Sequence, residues 1–143
     1  MFSKWTDRTR LEAMLLSLAV SMYLASRLNR AFREDLRERN GIAEIRTEDW
    51  TVAWRFHIAH GRVRPVRGGH PNPDYAMVYK DISSAVKILS EGTDEAVMQG
   101  MADGTVRFDG DLAFGMWFND LLKKLGSLVR ERLESLPLKR STK

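Results

Sequence analysis

Few side chains in this sequence offer chemistry. The 143 residues contain no cysteine, which excludes a disulfide framework, a thiolate metal site and a cysteine nucleophile. The histidines are His57, His60 and His70. His57 and His60 lie three apart on or beside a strand, so they point to opposite faces and cannot easily share one ion. Gly68-Gly69-His70 could cup a phosphate on its backbone amides. It lacks the lysine and the longer glycine spacing of a phosphate-binding loop, and reads as an ordinary loop. Asp109 and Asp111 flank Gly110 and could divide acid–base work, but their place at a helix start favours capping and dipole compensation. Arg55, Arg62, Arg64 and Arg67 lie in an acid-free run. Such a run is usually a solvated face, with phospholipid head groups or a partner protein as the alternative contacts. No nucleophile–base pairing emerges, so catalytic residues, metal ligands and cofactors are all expected to be absent.

These residues are set on a chain that alternates long helical and short extended patterns. Leu11, Leu15, Leu18, Met22, Ala25, Phe32 and Leu36 recur at helical spacing and predict one long helix from about Thr9 to Arg39, stopped by Asn40-Gly41. That helix is apolar on more than one face around Leu16, Val20 and Leu24, so it is either well buried or has a second client surface. Ile42 to Arg46 is a weak strand. From Trp50 to Ile58 the residues alternate, placing Trp50, Val52, Trp54, Phe56 and Ile58 on one face. His60-Gly61 turns the chain into a strand from Arg62 to Arg67, and residues 68–73 form a Gly/Pro loop. Tyr75 to Lys80 is the next strand. Asp81 caps a helix to Ser90 with Val86 and Leu89 inward and Gly92 as its stop. A short helix follows from Asp94 to about Met101, then a turn at residues 102–104 and a last strand from Thr105 to Asp109. Asp111 caps a final helix to about Leu136, loosened at Gly126 and ended by Pro137.

Composition sets the wider bounds. Hydrophobic residues make up 43% of the chain, enough for one folded domain with a real core. Residues 13–26 carry no charge, a stretch too short by itself for a membrane span. Asp7 and Glu12 sit where a signal peptide would be basic, and the apolar period continues beyond Arg27. The segment therefore reads as a folded helix in a cytoplasmic protein. The formal charge is +4. Residues 1–39 hold eight bases against five acids, and the tail from 121 holds seven against two. Residues 81–120 hold two bases against eight acids. That split lacks the continuous basic face of a nucleic-acid binder. The two basic ends are compatible with weak attraction to an anionic membrane surface.

The final helix is the densest apolar segment, with Phe114, Trp117, Phe118, Leu121 and Leu122 on a broad face that Met116 thickens. Gly115 removes a side chain from that aromatic cluster and lets something approach the backbone; a neighbouring helix packing there is the plain explanation. Met77, Met98, Met101 and Met116 suit an irregular core or a tolerant apolar pocket.

From Asn72 to Leu122 the chain resembles the sterol carrier protein type 2 family. The likeness rests on Pro73-Asp-Tyr-Ala-Met-Val-Tyr-Lys-Asp, Ile88-Leu-Ser-Glu-Gly, Glu95-Ala-Val-Met-Gln-Gly, Thr105-Val-Arg-Phe-Asp-Gly and Asp111-Leu-Ala-Phe-Gly-Met, in that order. The long helix and strands upstream extend it to about residues 28–125. The resemblance implies an α+β fold: a five-stranded, mostly antiparallel sheet covered by helices, with an apolar tunnel between sheet and helices. It also implies non-catalytic binding and transfer or presentation of fatty acids, acyl-CoA, sterol-like or isoprenoid lipids. The whole chain is then one domain, with a helix over 1–40, a core over 41–125 and a helical extension and polar tail over 126–143. Met77, Val86, Leu89, Met98, Phe114, Trp117, Phe118 and Leu121 are its expected lining, with Gln99 as the polar contact. Three features depart from the family pattern: a longer turn over residues 101–104, a longer and more apolar first helix, and a last helix continuing past Leu122. The alternative is a protein-interaction or accessory module. In that case the tunnel is filled and the excess helix faces bind a second copy or a partner enzyme.

Overall fold

The computed structural model describes residues 2–69 and 72–135. The chain order is α1 (Phe2–Leu28), α2 (Arg30–Leu36), β1 (Gly41–Thr47), β2 (Ala53–Ala59), β3 (Arg62–Arg67), β4 (Tyr75–Tyr79), α3 (Ile82–Glu91), α4 (Asp94–Asp103), β5 (Val106–Gly110) and α5 (Leu112–Glu134). The strands form one sheet in the order β3-β2-β1-β4-β5. β1 pairs parallel with β4, and the other three pairings are antiparallel. This is the expected α+β architecture. The weakest strand in the sequence, β1, sits at the centre of the sheet.

Alternation along the paired strands sorts the two faces. Ala43, Ile45, Phe56, Ile58, Tyr75, Met77 and Tyr79 share the face that the helices cover, and all are buried. Leu11, Leu15, Ala19 and Met22 of α1, Phe32 and Leu36 of α2, and Phe114, Phe118, Leu121 and Leu125 of α5 complete the core. On the opposite face, Glu44 is 1% exposed and its Oε1 lies 3.2 Å from Arg46 Nε. Arg46 in turn stacks 3.8 Å from the centre of the Trp50 ring, so the β1–β2 connection folds over this face.

Local chemistry explains where the elements differ from expectation. The long first helix is broken at Asn29, whose backbone is extended (φ −114°, ψ 113°) and whose Oδ1 accepts the Phe32 amide at 2.8 Å. An asparagine competes with the helix for its own amides and caps a new one. The apolar period continues across the break, which is why spacing alone conceals it. Trp50 is not in a strand. It sits at φ 65° and half exposed in a turn that Thr47 and Asp49 build. Asp49 Oδ1 accepts from Thr47 Oγ1 at 2.9 Å and from the Thr51 amide at 3.0 Å. The Thr51 amide foremost holds the Asp49 carboxyl below its usual range. α4 runs on to Asp103, absorbing the predicted turn, and Gly104 ends it at φ 78°. α5 passes Gly126 without interruption. Asp81, Gly92 and Asp111 cap as the sequence implied. Leu136, Pro137, the polar tail and the His70-Pro71 part of the Gly/Pro loop lie outside the described residues.

Candidate functional site

The expected lining residues divide into two groups. Met77 on β4, Val86 on α3, and Phe114, Phe118 and Leu121 on α5 are all buried in the core. Leu89 and Trp117 are partly buried against it. Phe118 stands 5.9 Å from the Phe56 ring and 6.4 Å from the Tyr75 ring, and Phe114 packs edge-on to Trp117 at 5.3 Å. The side chain missing at Gly115 makes room for the Tyr75 ring, which a Cβ there would strike. Met98 and Gln99 depart from expectation: Met98 is 67% exposed and Gln99 is also on the outside of α4. Gln99 Nε2 donates to Asp103 Oδ1 at 3.0 Å, tying down the last turn of its own helix instead of reaching an interior ligand. Helical period explains this, because Ala96 and Gly100 take the inward positions of α4.

Further along α5 the buried stripe opens to solvent. Phe114, Phe118, Leu121, Leu125 and Leu128 follow one another at helical spacing on one side. Beyond Leu125 that side meets the second half of α1 across an open groove of about 780 Å³. Leu24, Ala25 and Leu28 form one wall, and Leu125, Leu128, Val129 and Leu133 the other. Ser21, Asn29, Glu131, Arg132 and Ser135 supply the polar lining. The groove lies within the size range of small-molecule sites, with mostly apolar walls and a few polar groups.

Next to the groove, α5 is tied to α2. Trp117 Nε1 donates to the Asp35 carbonyl at 3.3 Å, and Lys124 Nζ reaches Asp35 Oδ2 at 2.9 Å, fastening α5 to α2. The hydrogen bond to Asp35 raises the Lys124 pKa above its usual value. Past the break at Asn29, Phe32 and Leu36 of α2 are buried, whereas Leu24 and Leu28 at the end of α1 stay exposed on the groove. Sequence reasoning missed the lining residues from Leu125 onward, although the stripe continuing past Leu122 carried the signal. It did register the second apolar face of α1, to which Leu24 belongs.

The chemistry the groove offers is chiefly apolar contact. Its titratable lining residues are Glu131 and Arg132, neighbours on one helix. Among the described residues no group of three or more His, Asp or Glu is placed to hold a metal ion. Asp111 and Asp109 are engaged separately, the first by the Phe114 amide at 3.1 Å and the second by Arg107 at 3.2 Å.

No protein-family model and no curated protein matches this sequence. Solved structures do match its fold. The UbiJ-SCP2 ubiquinone synthesis protein superposes with a TM-score of 0.54 at 12% identity, over 84% of this chain and 98% of that one. Sterol carrier protein 2 from Yarrowia lipolytica gives 0.56 at 10% identity, over 76% of this chain and 87% of that one. The palmitated SCP2L2 protein of Aedes aegypti gives 0.50 at 11% identity, over 73% and 90%. At these identities the likeness concerns the fold. Sheet order, helical cover and these superpositions agree: the chain has the fold of the sterol carrier protein 2 domains.

Proposed function

We propose that the protein binds lipids reversibly and carries or presents them without covalent chemistry. The observation that carries this reading is the apolar groove between α1 and α5 on a sterol-carrier fold. Each methylene taken from water into such a site contributes about 0.8 kcal/mol, so a long acyl or isoprenoid chain needs few polar contacts. The palmitated relative supports an acyl chain as one ligand class. Met77, Val86, Phe114, Phe118 and Leu121 serve as the packed inner wall behind the groove, and Leu125, Leu128, Val129 and Leu133 as the surface the lipid touches. The cysteine-free sequence fits a reducing compartment such as the cytoplasm.

Native mass spectrometry of freshly purified protein, followed by organic extraction, tests the proposal. A co-purifying acyl or isoprenoid species near one per chain is expected. A clean apo mass with no uptake of added fatty acid overturns it. The second reading, an accessory module that binds a partner protein, is favoured by the exposed apolar face of α1. The match to a ubiquinone synthesis protein is in keeping with it. Light scattering during gel filtration separates the two, since a strict monomer with bound lipid argues against the module.

A further inference from the structure

Away from α1 and the groove, four large apolar residues stand out on α4 and the start of α5. Met98 and Met101 on α4 are 67% and 52% exposed, and Leu112 and Met116 on α5 are 64% and 70% exposed. Single exposed apolar side chains are ordinary on a protein surface. These four are ordered by helical period. Asp94, Met98 and Met101 stand at positions i, i+4 and i+7 of α4 and form one line along that helix. Leu112, Met116 and Lys123 stand at i, i+4 and i+11 of α5 and form a second line. Lys123 Nζ lies 3.1 Å from Asp94 Oδ2, so an ion pair joins the two lines into one surface.

The charge around this surface is acidic. Residues 81–120 hold eight acids against two bases. Of the bases, Lys87 is exposed on α3, and Arg107 points to the opposite face of the sheet, where it meets Asp109 at 3.2 Å and Glu48 at 3.5 Å. Lys123 is held by Asp94, and Lys124 is drawn to Asp35 of α2 at 2.9 Å. Asp81 and Asp111 cap helices, and Asp103 accepts from Gln99. Glu91, Glu95 and Asp120 are exposed, with Asp120 also acting through space on Lys124.

We infer that the α4–α5 surface docks a basic amphipathic helix of a partner protein. Methionine is unbranched and polarizable, and it adapts to varied apolar partners. The surrounding carboxylates repel anionic phospholipid and favour a cationic partner. A second copy of the same face would set acid against acid. A helix with an apolar side flanked by lysine or arginine meets both the methionines and the carboxylates. The docking is separate from the groove and does not depend on the carrier reading.

Fluorescence anisotropy with a dye-labelled synthetic peptide tests the docking. The probe is an amphipathic peptide of leucine and lysine, about 14 residues long so that it makes about four helical turns. One control replaces lysine with glutamate, and another scrambles the order so that no apolar side forms. The wild type is expected to bind the probe one to one, to release it as salt is raised, and to bind both controls roughly tenfold more weakly or less. M98S/M116S alters two exposed side chains, so its melting temperature should stay near wild type while its affinity falls about tenfold or more. E95K/D120K should weaken the same complex through charge, without touching the apolar contact. Absence of binding by the wild type overturns the inference, as does a folded M98S/M116S that binds like the wild type or a scrambled peptide that binds as well as the probe. An equal loss of affinity in L16S/V20S assigns the peptide to α1 and overturns it too. A dimer in light scattering that M98S/M116S dissociates gives the face to a second copy, and vesicle binding that M98S/M116S abolishes gives it to a membrane; either replaces the inference.

Discussion

Replacing Phe118 by alanine distinguishes a packed core from a tunnel wall. The Phe118 side chain is 0% exposed, with aromatic neighbours at 5.9 and 6.4 Å. In a well-packed interior, deleting a phenylalanine ring costs about 3–5 kcal/mol, because the transfer energy is lost and the cavity does not collapse fully. A domain of this size has a total stability of about 5–15 kcal/mol, so the variant should lose about a fifth of it or more. At roughly 4 °C per kcal/mol, the melting temperature should fall by about 12–20 °C. Urea denaturation followed by tryptophan fluorescence gives the free energy, and an unchanged m-value confirms that both variants unfold from the same compact state. Leu128→Ala, at a half-buried groove position, is the internal control and should cost under about 1.5 kcal/mol. If Phe118→Ala also costs less than about 1 kcal/mol, the ring already borders empty space, and the packed inner wall described above is wrong.

The double variant V129D/L133D changes two exposed groove residues. It should cut fatty-acid uptake by tenfold or more, read by fluorescent-lipid displacement, with melting shifted by only a few degrees. Gly115→Ala should destabilise by about 1–3 kcal/mol, because the added methyl meets the Tyr75 ring; calorimetry checks it, and a neutral result would mean the ring moves freely. Asp81→Ala removes the cap on the Ser84 amide and should cost about 1 kcal/mol at neutral pH. Because that amide foremost holds the Asp81 carboxyl below its usual value, the ionised form stabilises the fold. Its contribution is full above the unfolded aspartate pKa of about 3.9 and fades as pH falls through the lower folded value. The stability gap to wild type should therefore narrow in acid, and a gap independent of pH would refute the assignment. Asn29→Ala should cost about 1 kcal/mol and reduce the bend between α1 and α2, seen as higher helicity by circular dichroism.

The sequence by itself determined the elements whose signals are local. The alternation read over residues 50–58, which overlaps the strand Ala53–Ala59, the caps at Asp81 and Asp111, and the stop at Gly92 each depend on a few neighbouring residues. The ordered motifs from Pro73 onward also carried the fold class. Tertiary structure alone decided which apolar residues touch each other and which touch solvent. Phe118 and Leu133 are both large apolar residues on α5, yet one is enclosed and the other is 49% exposed. Composition and period do not separate them, because burial depends on whether another element stands opposite. Near Phe118 the sheet supplies Phe56 and Tyr75. Near Leu133, among the described residues, the end of α1 stands opposite across the open groove.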